Sequence, residues 1–569
     1  MTIARTLLNR TLATRSLWRT SAAMALWLAA LPAAAQNQLW IRQLGTSTSD
    51  EARAAAPDGS GGVYVSGLTH GSLGGANAGY IDAWLARYDS AGNQLWIRQL
   101  GTNRWEEVSA VAPDSSGGVF VSGRTLGSLG GPNAGSFDAW FARYDGAANQ
   151  LWIRQLGTTT WDEARAAAPD SSGGVYVGGY TDGTLGGAHA GTQDAWLARY
   201  DSAGNQTWIR QLGTGADDQL LAATPDFSGG VYVSGNTRGH FGGLNAGFND
   251  AWLARYDSAG NQLWVRQLGT SSNEDAPAAA PDGAGGVYVS GWTQGSLGGA
   301  SAGGYDAWLA RYDSAGIQLW IRQLGTFGGD NAYAAAADGS GRVYMCGSTT
   351  GSLGGPSAGA YDAWLASFDG AGNQLWIRQL GTSTWEWAQA AAPDSLGGVY
   401  VSGWTAGSLG GPSAGSADAW LARYDGSCGA SSSYCTAKTN SAGCVPSIAT
   451  SGTPSAGAGS GFTISTTSVL DNKLGLYFYS KSGASNAPFQ GGTLCAQPPL
   501  VRTMLLNSGG TPPCGGAFQI DFNVFVASGK DPALVAGQHV WAQTWSRDPG
   551  FTPPNNTSLS DAVSFTICP

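Results

Sequence analysis

Lysine is nearly absent: Lys438, Lys473, Lys481 and Lys530 are the only four in 569 residues, and all lie after residue 430. So sharp a shift in composition marks a domain boundary. Histidine is equally scarce. His70, His189, His240 and His539 are scattered, without the H-E-x-x-H spacing of a helical zinc site. Helical periodicity is missing from the first 427 residues, so no P-loop or dinucleotide fingerprint has a helix to open. No run after residue 35 is apolar for long enough to cross a bilayer as a helix. Basic charge is also short. Net charge is −10, and four of the arginines fall within residues 1–35, so the remainder carries about −14. Such a surface repels phosphate backbones and excludes nucleic acid as a partner.

Met1 to Ala35 has the pattern of a secretory signal. Arg5, Arg10, Arg15 and Arg19 form a basic start, Ala22 to Ala30 an apolar run, and Ala33-Ala34-Ala35 a small-residue cleavage site before Gln36. Export with cleavage is therefore expected, with no membrane span in the mature chain.

Glycine is what the chain has in excess, at 88 residues, beside 42% hydrophobic and 11% aromatic residues. Without a G-X-Y period this reads as many tight turns between short strands. The motif Gln-x-Trp-[Ile/Val]-Arg-Gln-Leu-Gly-Thr begins at Gln38, Gln94, Gln150, Gln206, Gln262, Gln318 and Gln374, always at intervals of 56 residues. Each unit offers four strands, in the first Glu51–Ala56, Val63–Gly67, Ala83–Tyr88 and Leu95–Leu100, with Asp, Asn, Gly and Pro between them. Four strands repeated seven times is the plan of a seven-bladed β-propeller. The array starts and ends out of phase: Gln38–Leu44 opens it and Asp418–Asp425 closes it, so each terminus completes the other's blade and no strand edge is left bare. The alanine-rich Glu51–Ala56 suits the crowded axis, and Trp84, Tyr88 and Trp96 suit the broad outer packing, where each buried aromatic removes about 150–250 Å² from water. The expected domains are 1–35 signal, 36–427 propeller, and 428–569 a smaller cysteine-containing β-rich domain.

The sequence Asp82-Ala-Trp-Leu-Ala-Arg-Tyr-Asp, a Gly-Asn turn, Trp-Ile-Arg-Gln-Leu-Gly-Thr, an acidic residue and Pro-Asp-x-x-Gly-Gly-Val-Tyr-Val-Ser-Gly-x-Thr resembles the SBBP-type β-propeller repeat. It is also similar to repeats of S-layer-like cell-surface glycoproteins. The resemblance covers all seven units. It implies an exported bacterial or archaeal surface protein and brings no catalytic residues with it.

In a meander the tight turns Asp58–Gly61 and Asp89–Asn93 share one face, and the longer connections Gly45–Asp50 and Thr69–Ile81 share the other. Function is expected on the longer loops. There the units differ. The place of Leu68 is taken by Arg124, Tyr180, Asn236, Trp292, Ser348 and Trp404, and that of Ser49 becomes Trp105, Trp161 and Trp385 in three units. Trp105, Arg124, Trp161, Tyr180, Trp292, Trp385 and Trp404 are thus the candidate surface for a glycan or protein ligand, with neutral drift as the alternative. Asp50, Glu106, Asp162, Asp218, Glu274, Asp330 and Glu386 are acidic in every unit and are expected to ring one mouth of the channel. Ca²⁺ is the cation such carboxylates suggest. Carboxylates ~8 Å apart repel by only about 0.5 kcal/mol in water, so the ring stands without metal, and bonding to backbone amides of their own turns is the favoured role.

Cys428, Cys435, Cys444, Cys495, Cys514 and Cys568 fall in the last 142 residues. In an exported segment without C-x₂-C pairs they predict up to three disulfides, with fifteen possible pairings. Cys346, where sister units carry Ser or Gly, reads as a buried free thiol. Phe462–Thr466, Gly475–Ser480, Phe518–Phe525, Val540–Trp545 and Ala562–Ile567 read as strands of a compact sandwich, and Gly452–Ser460 as an internal loop or part of a linker. No catalytic set is legible. The expected function is a non-enzymatic binding or surface-structural protein at the cell exterior. The alternative is a carbohydrate-active enzyme, a polysaccharide lyase or glycosidase, which needs a distinguished pair of carboxylates that a sevenfold ring does not offer.

Overall fold

The computed structural model describes residues 38–339, 341–394, 397–424, 431–535 and 538–567. The segment expected to be an export signal, together with Cys428 and Cys568, lies outside the described residues.

The first described unit runs through strands Asp50–Pro57, Val63–Thr69, Asp82–Tyr88 and Gln94–Leu100, paired in that order as an antiparallel meander. The same four-stranded sheet recurs seven times. The turns explain why the chain reverses where it does. Asp58 accepts from the backbone N–H of Ser60 at 2.8 Å and of Gly62 at 2.7 Å, and Asp89 from those of Ala91 and Asn93 at 2.9 Å. Gly92 takes φ 80°, and a Cβ there would lie 2.8 Å from the Trp40 ring of the neighbouring blade, so the turn requires glycine twice over.

Alternation decides what each strand buries. Along Asp50–Pro57 the even-numbered residues are buried between blades and the odd-numbered ones are half-buried, with a bulge between Ala52 and Ala54. Trp84 and its six counterparts are almost wholly buried, and the Trp84 indole donates to the carbonyls of Glu51 at 3.2 Å and Leu68 at 3.0 Å. Trp96 differs from expectation. It is only half-buried, because it lies on the outermost strand, and its indole N–H reaches Gly146 O of the next blade at 3.1 Å. Arg87 stitches the same seam: it donates to Asp58 at 2.9 Å and to Gly146 O at 2.9 Å while lying over the Tyr64 ring. The sixth blade has Ser367 at that position, and the seventh unit's counterpart of Gly146 lies outside the described residues.

The seven sheets form a cycle. Each innermost strand packs on that of the next sheet, and Glu386–Pro393 of the last packs on Asp50–Pro57 of the first. Gln38–Leu44 pairs with Asp418–Tyr424, so the chain's first described strand completes the last blade. Tyr400 donates its hydroxyl to Gly61 O at 2.6 Å and Arg423 donates to Ser90 O at 2.7 Å, repeating across the junction the bonds made between the other blades.

Beyond the ring, Ser432–Tyr434, Thr557–Thr566, His539–Arg547, Leu474–Ser480 and Val501–Arg502 form one antiparallel sheet, and Ser447–Gly452, Phe462–Val469 and Gly516–Asp521 a second. The two share a core of Phe462, Tyr477, Phe518, Val540 and Phe565. One expected strand is corrected. Phe518–Phe525 is strand only to Asp521, whose side chain accepts from the N–H groups of Asn523 and Val524 and caps a helix, Phe522–Ala527. Asn523 in turn donates to Thr453 O at 3.0 Å and Ser460 O at 3.2 Å, which makes Gly452–Ser460 an internal loop. Cys435 is bonded to Cys495 and Cys444 to Cys514, while Cys346 is a buried free thiol. No helix among the described residues is long and apolar enough to cross a membrane.

Candidate functional site

The innermost strands enclose an axial cavity of about 170 Å³, lined by the odd positions and the alanines that follow them, from Arg53-Ala54-Ala55 round to Gln389-Ala390-Ala391. At its longer-loop end four positions of each unit converge. The residue at Glu51 pairs in register with the one at Leu68, and Ile81 of one blade bridges Trp105 of the next, the place of Ser49 in its own unit. These are among the positions at which otherwise similar units part company.

Blades two and three build one side from charge. Arg124 donates to Glu107 and to Glu163, at 3.0 Å each, and so spans two neighbouring blades. Glu163 also receives the Arg165 guanidinium at 3.0 Å, the Tyr180 hydroxyl at 2.8 Å and the Trp161 indole at 3.2 Å. Burial alone would raise the Glu163 carboxyl, but Arg165 and Arg124 outweigh it and hold it below its ordinary value. Trp105 donates to Glu107 at 2.5 Å. Phe137 lies between Trp105 and Trp161, its ring centroid 6.1 and 4.5 Å from theirs, and Arg124 covers both Phe137 and Trp161. Farther round, burial pushes Asp275 up to about 6, although Asn236 donates to it at 3.1 Å.

Blades six and seven build another side from aromatic rings. Trp387 stacks on Tyr333 at 5.3 Å and on Trp404 at 5.5 Å, with Tyr361 tilted against it at 5.6 Å. Trp385, 53% exposed, meets Tyr361 edge-on at 6.3 Å. The indole N–H of Trp387 is buried with no acceptor among the described residues.

The seven candidate ligand residues thus fall into groups. Trp105, Arg124, Trp161 and Tyr180 meet in blades two and three. Trp385 and Trp404 meet in six and seven, and Trp292 stands apart, edge-on to Tyr305 at 4.9 Å. Tyr333, Trp387, Phe137 and Tyr361 complete the groups. Comparison between units exposes them at the places of Arg53, Glu51 and Ile81, provided every variable position is aligned and not the loops alone.

The seven invariant acids are placed otherwise than at an open mouth. Asp50, Glu106, Asp162, Asp218, Glu274, Asp330 and Glu386 are fully buried, on the face of the strand that turns away from the channel. Asp50 accepts from Thr46 N at 2.5 Å, from its hydroxyl at 2.8 Å and from the Thr69 hydroxyl, and each counterpart is held by the equivalent threonines. Burial raises Asp162 and Asp218 despite these bonds. Among the described residues no three His, Cys, Asp or Glu side chains are grouped as metal ligands.

Residues 319–354 match the SBBP family, described as a β-propeller repeat. The regulatory protein FlaEY of Caulobacter vibrioides is 29% identical over 159 residues, 25% of this chain and 17% of that protein, so the match spans a small part of the relative. Among solved structures, an ulvan lyase of the polysaccharide lyases is 12% identical over 67% of this chain and 95% of its own, with a TM-score of 0.38. A puromycin hydrolase is 14% identical over 74% and 58%, also at 0.38. Neither structural likeness speaks to activity.

Proposed function

We propose that this β-propeller repeat protein is an exported, non-enzymatic recognition module that binds a glycan at the longer-loop mouth of its seven-bladed ring. The observation that carries the reading is where the repeat breaks. Seven near-identical blades diverge at one end of the axis, and there they set a stack of aromatic rings apart from an arginine-bridged carboxylate cluster. Binding sites pair apolar area with a few placed polar groups, and a pyranose ring has both an apolar face and a rim of hydroxyls. The exposed Trp385 and half-buried Trp404 offer faces for the former.

Glu107 and Glu163 are taken up by Arg124, Arg165 and Tyr180, which suits holding a shape more than exchanging a proton. Asp275, at the channel end and with its carboxyl raised to about 6 by burial, is the group that most favours the enzyme reading, since it suits a general acid. Export is supported by two disulfides, which persist in oxidising compartments, and by the basic-then-apolar start of the chain.

The test is a panel of environmental and envelope polysaccharides, with product analysis beside binding. Retention of a polymer that stays intact, with or without chelator, supports the reading. Chain shortening that is abolished in Asp275→Asn replaces it with the enzyme. Capture of a protein but of no glycan overturns the ligand class.

A further inference from the structure

The outer face of the larger C-terminal sheet carries a second cavity, separate in its lining from the channel mouth. Side chains alternate along Leu474–Ser480: Tyr477 and Tyr479 enter the core between the two sheets, while Leu476 and Phe478 point to the other side. There the hairpin of Ala484–Phe489 and Gly492–Ala496 folds across, bringing Phe489 and Leu494 against them. With Leu500 and Trp545 these residues enclose about 180 Å³. An apolar cavity of about 150 Å³ accommodates benzene, so this one admits a single ring with a short substituent and is too small for a lipid chain.

Its polar rim is one-sided. Gln490 sits at the hairpin turn with φ 47°, the left-handed conformation that a two-residue turn between the paired Phe489 and Gly492 requires. It is locked there. Its backbone oxygen accepts from Lys438 Nζ at 2.9 Å and its Oε1 from the Trp545 indole at 3.0 Å. What remains is the Nε2 amide, a donor. Arg502, exposed at the edge, is the one charged group of the lining, and its guanidinium has no carboxylate within ion-pair distance among the described residues. The side-chain polar groups left free in the lining are therefore donors, and the ligand's head must be an acceptor that carries negative charge.

We propose that this cavity binds a small aromatic carboxylic acid, its ring against Phe478, Leu494 and Trp545 and its carboxylate on Arg502 and the Gln490 amide. The site is independent of the glycan reading, and either stands if the other falls.

The experiment uses the full chain and 3-phenylpropionate, followed by ligand-observed NMR, with 3-phenylpropanol as the neutral isostere. Saturable binding of the acid is expected, at least tenfold tighter than of the alcohol and weakened at least tenfold in Arg502→Gln. Leu500→Trp, which fills the half-buried edge of the cavity, abolishes it while the far-UV spectrum and melting stay native. Equal binding of acid and alcohol, undiminished affinity in Arg502→Gln, or no saturable binding at millimolar acid overturns the proposal. A peptide ending in phenylalanine that binds where the free acid does not also overturns it, in favour of a chain terminus as the occupant.

Discussion

Asp170 meets Arg199 at 2.8 Å with only 1% of its side chain open to solvent, and it also accepts from Ser172 and the N–H of Gly174. Removing the arginine leaves this buried carboxylate on its serine and backbone donors alone, at a cost of about 1.5–3 kcal/mol. Arg199→Ala is therefore expected to lower stability by about 1.5–3 kcal/mol in a urea melt, whereas Arg238→Ala, whose pair with Asp217 is exposed, changes it by less than about 1 kcal/mol. The same turns set the acid limit. At Asp58, Asp114, Asp170 and Asp226 burial acts to raise the carboxyl, but the bonds from serine, arginine and backbone amides prevail and leave it below the ordinary value. Folded pKa values below unfolded ones mean that these bonds contribute fully above about pH 4 and are lost as pH falls through the folded values. Melting temperature should drop steeply below pH 4, less steeply in Asp170→Asn. Glycine matters in another way at Gly157, where a Cβ would lie 2.2 Å from Asp138 Oδ1. Gly157→Ala should destabilise by about 1–3 kcal/mol, the usual cost of overpacking, visible as a lowered urea midpoint.

At the scale of strands and turns, most of the ring is legible from the sequence, because its elements obey local rules. Period-two burial, Asp-anchored turns and the 56-residue interval place every repeat strand within about two residues. What is less legible depends on partners distant in sequence. Trp96 looks like core from its size, yet it is half-buried because its strand is outermost. Phe522–Ala527 continues an apolar run that reads as strand, and only the cap by Asp521 and the packing of Phe522 and Phe525 turn it into a helix. The strand Gln38–Leu44 tests the closure directly. Deleting residues 38–44 bares the edge of Asp418–Tyr424, so self-association on size exclusion and an earlier melt are expected. The disulfides link residues 60 and 70 apart, for which chain entropy gives about 4 kcal/mol each. Reductant should lower the calorimetric transition of the C-terminal sheets and leave that of the ring in place.

On the scale of the whole molecule, sevenfold repetition supplies rigidity and its local failure supplies individuality. The candidate site was half legible. Trp105, Trp161, Trp385 and Trp404 stand out in the sequence as departures from the repeat, but their grouping into an aromatic side and a charged side is set by which blades adjoin. Trp387 is legible as a departure from the acidic or amide residues of its sister units, whereas Tyr333 takes the place of Arg53 and its part in the stack depends on which blades adjoin. The invariant acids are legible in role but not in place: each accepts from a backbone amide of its own turn, as expected, but the strand's alternation buries it among threonine hydroxyls and away from the opening. The central claim is that one mouth of the ring recognises a glycan through its aromatic side. The most direct measurement is calorimetric titration of the best-retained polysaccharide into wild-type protein, Trp385→Ala, Trp404→Ala and Tyr80→Ala, the last an exposed aromatic of the first blade. Loss of at least tenfold in affinity for the two tryptophan variants, with Tyr80→Ala unchanged, is the predicted result. Equal affinity in all four proteins would contradict it.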